Sequence, residues 1–324
     1  MQVVHNLETL TPDTPYALTV GVFDGVHRGH HYLIQQTARA AANIGGKAGM
    51  VTFWPHPLEV VRPTVAVRYL TLLEEKLDVL AALGTVDMVV VMPFTPALSQ
   101  TSASDFIDLL RRHLNLRVLV EGSDFVFGHN RQGDMAFLTA YGEQQGFAVE
   151  NIRLQLADEQ RISSTRIRAL LAEGQVEEAA ALLGRAYSAR GLVVKGDQRG
   201  RLLGFPTANL EIDTKKILPA DGVYAVRAAV GNEVYNGVTN IGWRPTVDGT
   251  RHMTEAHLFD AQPDLYGKTL EIQFIARLRE ERRFAGIEAL KAQIAEDAQQ
   301  ARKVLEQAAR KPERGESGER TLEV

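Results

Sequence analysis

The sequence predicts an α/β domain built on a parallel sheet, followed by an antiparallel β-barrel domain that ends in a C-terminal helix. Three observations carry this expectation. Through the first half, apolar strand-like runs alternate with amphipathic helical runs, which requires a parallel sheet covered by helices on both faces. From about residue 186 the pieces become short, strand-like and turn-separated, the pattern of an antiparallel barrel. The 324 residues suit two domains, each large enough to bury its own core.

In chain order, residues 17–22 (ALTVGV) read as a buried strand. After His30, residues Ile34, Ala38 and Ala41 share one helical face, and Gly45-Gly46 stops the helix. Residues 48–53 form a second strand, ended by Pro55. Thr71 and Glu74 have the spacing of a capping box, behind which Leu73, Leu77 and Leu80 line a helix that ends at Gly84. A strand at 86–91, a helix at 103–114, a strand at 117–121 and short helices at 164–172 and 175–183 complete the half. The barrel strands are expected at 189–194, 223–230, 233–239, 253–259 and 270–276, with Gly231-Asn232 as a two-residue hairpin turn. A helix at 287–308 sets Ile287, Leu290, Ile294 and Ala298 on one face. The expected domains are therefore 1–185 and 186–310, with a polar, disordered tail at 311–324.

Composition excludes several classes of function. A net charge of −4 argues against a nucleic-acid or membrane-surface partner. The absence of cysteine excludes disulfides, thiol catalysis and Cys-ligated zinc, and fits a reducing cytoplasm. The opening MQVVHNLETL has neither the basic start nor the apolar core of a signal peptide. No apolar run approaches the ~18 residues of a membrane span. A cytoplasmic location is expected, and a homo-oligomer is left open.

The first chemical motif is GVFDGVHRGH, residues 21–30, at the end of the first strand. Its small residues let a backbone approach a ligand closely, and the N–H groups of the next helix favour phosphate at the same place. His27 and His30 sit three apart at that helix start, so both rings can reach one anion and stabilise charge at a phosphorus centre. The bland reading is a glycine-rich turn with two surface histidines, and a metal pair would lack a third ligand. A second stretch, ISSTRIR at 162–168, offers hydroxyls on Ser163, Ser164 and Thr165 and the delocalised cation of Arg168. Alone it reads equally well as an N-cap followed by a surface arginine.

These residues carry a resemblance. HRGH, residues 27–30, resembles the H-x-G-H signature of the nucleotidyltransferase superfamily, and ISSTRIR resembles its later motif, which contacts the triphosphate. Within EGSDFVFGHNRQGD, residues 121–134, Asp124, Phe125, Phe127, Gly128 and Asn130 resemble the loop that holds nucleotide and flavin in bacterial FAD synthetases. Trp54 stands in FWPHP where that family often has an acidic residue, and packing against a ring is the expected alternative. GFPTAN, residues 204–209, matches the P-T-A-N signature of riboflavin kinases. GVYAV, NIGWRPT, EAHLFD, DLYGK and LREERRF follow in the order of that family through nearly the whole second half. The chain is thus similar to bacterial bifunctional riboflavin kinase/FMN adenylyltransferases.

The resemblance implies a Rossmann-like nucleotidyltransferase domain and a Greek-key barrel kinase domain. It implies that riboflavin is phosphorylated by ATP to FMN, and that AMP from a second ATP joins FMN to give FAD. Its implied ligands are riboflavin, FMN, FAD and ATP, with Mg²⁺ as cofactor. In the adenylyl site it implies His27, His30 and Arg168 as catalytic groups. Gly21, Phe23, Asp24, Gly25, Gly29, Ser163, Ser164 and Thr165 would surround ATP, with Asp124, Phe125, Phe127 and Asn130 around flavin. In the kinase site it implies Glu255 as catalytic base, and Lys195, Gly196, Gly200, Gly204, Pro206, Thr207, Asn209 and Asn240 around ATP and flavin. The oxygens of Thr207 and Asn209 are hard ligands that suit Mg²⁺. Two alternatives stay open on the residues alone: another phosphorylated acceptor for the front half, or a flavin or nucleotide sensor without catalysis.

Overall fold

A computed structural model describes the chain except for residues 11–12, 154–155, 158–159, 197–203, 247–248, 262 and 311–324. Gly200 and the expected tail therefore lie outside the described residues. The chain forms two compact units. The first comprises Met1–Ala169, Leu182–Gly184 and Thr214–Ile217; the second comprises Leu170–Ala181, Arg185–Asp213 and Leu218–Val324.

The first unit holds a parallel sheet of β1 (Gln2–Val4), β2 (Tyr16–Val20), β3 (Lys47–Trp54), β4 (Met88–Pro93), β5 (Leu116–Gly122) and β6 (Ala148–Ile152), in the order β1-β4-β3-β2-β5-β6. Its central strands are buried on both faces, which is why β4, and β2 apart from the buried Thr19, read as apolar runs. Side chains alternate along β2: Leu18 and Val20 join one core, Ala17 the other. The helices of this part are α1 (Arg28–Asn43), α2 (Pro57–Val61), α3 (Leu73–Leu83), α4 (Pro96–Ser99), α5 (Ala103–Leu114) and α6 (Met135–Gln145). Phe106, Ile107 and Leu110 of α5 fill the core of Leu18, whereas Leu33 and Ile34 of α1 and Leu80 of α3 fill that of Ala17.

The expected capping box is displaced by one residue. The N-cap of α3 is Leu72, and Glu75 rather than Glu74 reaches back to accept from Leu72 N at 2.9 Å. The Thr71 hydroxyl instead accepts from Gly25 N at 3.0 Å, a tertiary bond that competes with the local cap.

A two-stranded antiparallel piece, β7 (Leu156–Ala157) with β8 (Gln160–Arg161), precedes α7 (Ser164–Ala172) and α8 (Val176–Leu183). The second unit contains a closed antiparallel barrel of β9 (Tyr187–Val194), β10 (Ala208–Ile212), β11 (Gly222–Val230), β12 (Glu233–Thr246), β13 (Gly249–Leu258) and β14 (Thr269–Arg279). The strand order is β10-β13-β12-β11-β14-β9, and β9 pairs back onto β10. β11, β12 and β13 form a meander, and β14 returns to lie beside β11, which is the Greek-key arrangement. Val230 pairs with Glu233 across the Gly231-Asn232 turn, where Gly231 takes a φ of 57°. The last helix, α9 (Ile287–Arg310), packs Ala301 and Leu305 against Val223, Ala225, Val238 and Phe259. Of the expected stripe on this helix, Ala298 packs against that cluster, whereas Ile287 is 66% exposed and the fully buried positions lie nearer the C-terminal end.

Candidate active sites

In the first unit the chain passes from β2 to β3 and β4 on one side, then returns to place β5 and β6 on the other. The carboxyl end of β2 is thus a topological switch point, where open parallel sheets bind ligands. The loop Gly21–Val26 and the start of α1 occupy that point. The loop is tightly wound, with positive φ at Phe23, Gly25 and Val26. At Gly25 a side chain is excluded twice, because φ is 80° and a Cβ would stand 2.8 Å from Leu70 Cδ1.

His27 is the N-cap of α1, and the two histidines cap one another. His30 N donates to His27 Nδ1 and His27 N donates to His30 Nδ1, each at 3.3 Å. The rings stack with centroids 3.6 Å apart, and Phe23 meets His30 edge-on. Because each Nδ1 accepts, each neutral ring carries its proton on Nε2. The cap therefore sets two Nε2–H donors side by side at a helix N-terminus. Gly29 lies in the first turn, where a Cβ would meet the His27 ring at 3.2 Å.

Asp24 is buried, and its carboxylate accepts from Leu70 N at 3.1 Å and Thr71 N at 3.0 Å. It also pairs with the Arg168 guanidinium, which donates as well to Arg68 O at 3.2 Å. Ser164 Oγ donates to Asp24 O at 2.9 Å, and Ser163 Oγ accepts from Arg166 N at 3.3 Å. Thr165 is exposed. The structure thus joins GVFDGVHRGH and ISSTRIR at one place. Nη1 of Arg166 is buried without a hydrogen-bond partner among the described residues.

Phe125 and Phe127 stack at 5.2 Å on the loop after β5, with Phe106 and Phe137 against Phe127. Asp124 and Asn130 are exposed beside them, Asn130 with a φ of 52°. Trp54 packs on the Tyr69 ring at 4.7 Å. Burial holds the nearby His56 below the usual histidine range, against the pull of Asp24.

Lys76 and Glu121 have no role in the motif reading. Lys76 on α3 is buried beneath the loop, donating to Val22 O at 2.7 Å and Thr52 Oγ1 at 3.3 Å. Burial, opposed by Asp24, lowers its ammonium to about 8. The signal was its place between Leu73, Leu77 and Leu80, on the apolar stripe itself. Glu121 on β5 is buried and accepts from Val20 N at 2.6 Å; burial raises its carboxyl well above the usual range.

In the second unit, β-register assembles the site. Glu255 on β13 lies opposite Asn209 on β10 and opposite Asn240 on β12. Residues directly opposite in antiparallel strands project to the same face, so the three side chains form a row. Thr254, Ala256 and Leu258 are buried on the other face. His257, two residues from Glu255, bonds through Nδ1 to Pro206 O at 2.8 Å and meets Phe205 edge-on, bracing the start of GFPTAN. Thr207 and Pro206 border a cavity of about 260 Å³ with Val193, Ala256, Leu258 and Tyr266. Gly204 has a φ of 86°. Gly196 cradles Asn209: a Cβ there would fall 2.3 Å from the Asn209 amide nitrogen. Lys195, next to it, is exposed.

A paired-imidazole helix start at a sheet switch point in one unit, and a barrel bearing a row of amide and carboxylate groups in the other, define a two-module, nucleotide-using transferase. Residues 10–166 match the family described as FAD synthetase, and residues 183–305 match that described as riboflavin kinase. The chain is 40% identical to the bifunctional riboflavin kinase/FMN adenylyltransferase of Escherichia coli (strain K12), over 92% of this chain and 95% of that one. It is 39% identical to that of Bacillus subtilis (strain 168), over 88% of this chain and 90% of the other. A crystal structure described as a macrolide-efflux protein from Streptococcus pneumoniae is 28% identical and superposes with a TM-score of 0.85, covering 93% of this chain and 98% of that one. The chain belongs to the bifunctional riboflavin kinase/FMN adenylyltransferase family. Among the described residues, no helix is long and apolar enough to cross a membrane.

Proposed function

We propose that the barrel phosphorylates riboflavin with ATP, and that the site at the start of α1 then transfers AMP from ATP to the resulting FMN, releasing FAD and pyrophosphate. The observation that carries the assignment is the contrast between the two constellations. A carboxylate stands in register between two asparagines in one unit, and two mutually capping imidazoles stand at a helix start in the other.

The contrast follows the chemistry. In the kinase step the terminal ribityl hydroxyl of riboflavin attacks the γ-phosphorus, and ADP leaves. A neutral alcohol is a weak nucleophile, so Glu255 takes its proton as the bond forms. Asn240 and Asn209 flank Glu255, while Lys195, Gly196, Gly204 and Pro206 frame the nucleotide. Mg²⁺ suits the donor set here, because the hydroxyl of Thr207 and the amide oxygen of Asn209 are hard oxygens. When bound, that ion would offset charge on the leaving ADP.

In the adenylyl step the FMN phosphate attacks the α-phosphorus, and pyrophosphate leaves. This nucleophile is already anionic, so the site supplies positioning and charge neutralisation rather than a base. The Nε2–H groups of His27 and His30, the α1 N-terminus and Arg168 serve that purpose. Gly21, Phe23, Gly25 and Gly29 shape the ATP loop. Asp24 holds that loop and Arg168 together, aided by Ser163, Ser164 and Thr165. The stacked Phe125 and Phe127, with Asp124 and Asn130, form the platform for the flavin ring. We assign both reactions to the cytoplasm, and the domains in chain order to 1–185 and 186–310, although Leu170–Ala181 and Thr214–Ile217 are each packed into the other compact unit.

The test separates the two activities in the full chain. Glu255→Gln is expected to stop FMN formation while FAD synthesis from added FMN continues. His30→Ala is expected to do the reverse. If either substitution abolishes both activities in a folded protein, the two-site assignment fails.

A further inference from the structure

The stretch that matches riboflavin kinase supplies a residue to the first unit. Beyond β10, residues Thr214–Ile217 belong to that unit. They lie alongside Tyr69: Tyr69 N donates to Lys215 O at 2.7 Å, and Ile217 N donates to Tyr69 O at 3.0 Å. Lys216 is buried, and its Nζ donates to Glu75 Oε2 and to Leu70 O, both at 2.6 Å. The ion pair is almost wholly enclosed, with side-chain exposures of 1% and 7%.

Its place matters for what lies next to it. Leu70 O and Thr71 N belong to one peptide group. Lys216 binds the oxygen of that group, and its N–H donates to Asp24 at 3.0 Å. A cation on the carbonyl polarises the peptide and strengthens the bond its N–H makes. Thr71 also accepts from Gly25 N, and Asp24 holds Arg168. A short relay therefore runs from Lys216 through the 70–71 peptide to Asp24, Gly25 and Arg168.

We propose that Lys216 is a positioning residue for adenylyl transfer: it fixes the peptide that holds Asp24, and through Asp24 the loop and the arginine. This rests on the assignment of AMP transfer to the His27–His30 site. Removing Lys216 alone would leave Glu75 buried without its ion-pair partner and threatens folding. The decisive full-length variant therefore combines Lys216→Met with Glu75→Gln, which removes both charges and keeps both shapes.

FAD formation from added FMN, and FMN formation from riboflavin, are measured on the same preparations, with Glu75→Gln alone as a control. We expect the double variant to phosphorylate riboflavin within about twofold of wild type. Its kcat for adenylyl transfer should fall about tenfold with KM for FMN within about twofold, the mark of a reacting geometry loosened rather than a flavin pocket lost. Glu75→Gln alone, retaining Lys216 on Leu70 O, should keep most of the adenylyl rate. An unchanged adenylyl kcat in the double variant, or equal losses in both reactions, would overturn the proposal. If wild type makes no FAD from FMN, the site assignment falls and Lys216's role falls with it.

Discussion

Lys76 sits under the loop Gly21–Val26 with its ammonium on Val22 O, so a charge removed from water supports the backbone of the adenylyl site. Its pKa is lowered by burial to about 8 from an ordinary 10.5. Between those values the unfolded chain binds more protons than the folded one, so stability contributed at this residue rises with pH. Relative to Lys76→Met, wild type should therefore gain up to about 3 kcal/mol of unfolding free energy between pH 8 and 10.5. Paired urea titrations check this, and a difference that is flat in pH would contradict it. Glu121 behaves in the opposite sense. Burial raises its folded pKa, so its contribution is present in acid and is lost as pH rises through that raised value. Glu121→Gln keeps the shape and the acceptor for Val20 N, and should abolish this pH dependence in the same urea titrations. Asp24 differs from both because its charge is matched by Arg168. Asp24→Asn keeps the shape but frees the guanidinium, and adenylyl transfer should fall at least about tenfold. Stopped assays with added FMN read this loss, and riboflavin phosphorylation in the same samples should persist.

Helix α9 shows how an element is held by polar contacts as well as an apolar stripe. Arg279 on β14 grips Asp297 at 2.8–3.1 Å through both Nε and Nη2, and Ala301 and Leu305 follow one and two turns later. Asp297 is buried, so Asp297→Ala strands the guanidinium and should cost about 3 kcal/mol. Leu305→Ala opens a cavity of similar consequence, about 2–5 kcal/mol. Thermal unfolding followed through kinase activity measures both; a melt unchanged by Asp297→Ala would show that the pair is not what docks the helix. Elements also differ in how readily they could be read. α5 was expected at 103–114 and is found at Ala103–Leu114, because Ser102 caps it and Phe106, Ile107 and Leu110 mark its face. β10 was not foreseen as a strand: five residues beginning Ala-Asn resemble a turn until β9 and β13 pair with them on either side. α6 was missed because it buries only Leu138 and Gly142, too few positions for a periodic signal.

Across the whole molecule the two units interleave along the chain. Leu170–Ala181 belongs with the barrel, where Ala220 N donates to Leu171 O at 2.9 Å and Arg277 donates to Glu173 O at 3.2 Å. A C-terminal piece beginning at Leu170 should therefore melt higher than one beginning at Tyr187, although both should phosphorylate riboflavin because each contains the closed barrel. Equal melting temperatures would deny the Leu170–Ala181 segment that role. The local chemistry was open to reading from the sequence alone: a histidine pair at a helix start, Pro-Thr-Ala-Asn before a strand, the fold class and the family. These depend on residues adjacent in the chain, or on periodicities that the backbone imposes by itself. Only tertiary structure set Glu255 between Asn209 and Asn240, tied Arg168 to Asp24, buried Lys76 and brought Lys216 to Leu70. Those partners lie far apart in sequence, and strand register and desolvation, which no local pattern encodes, choose among them.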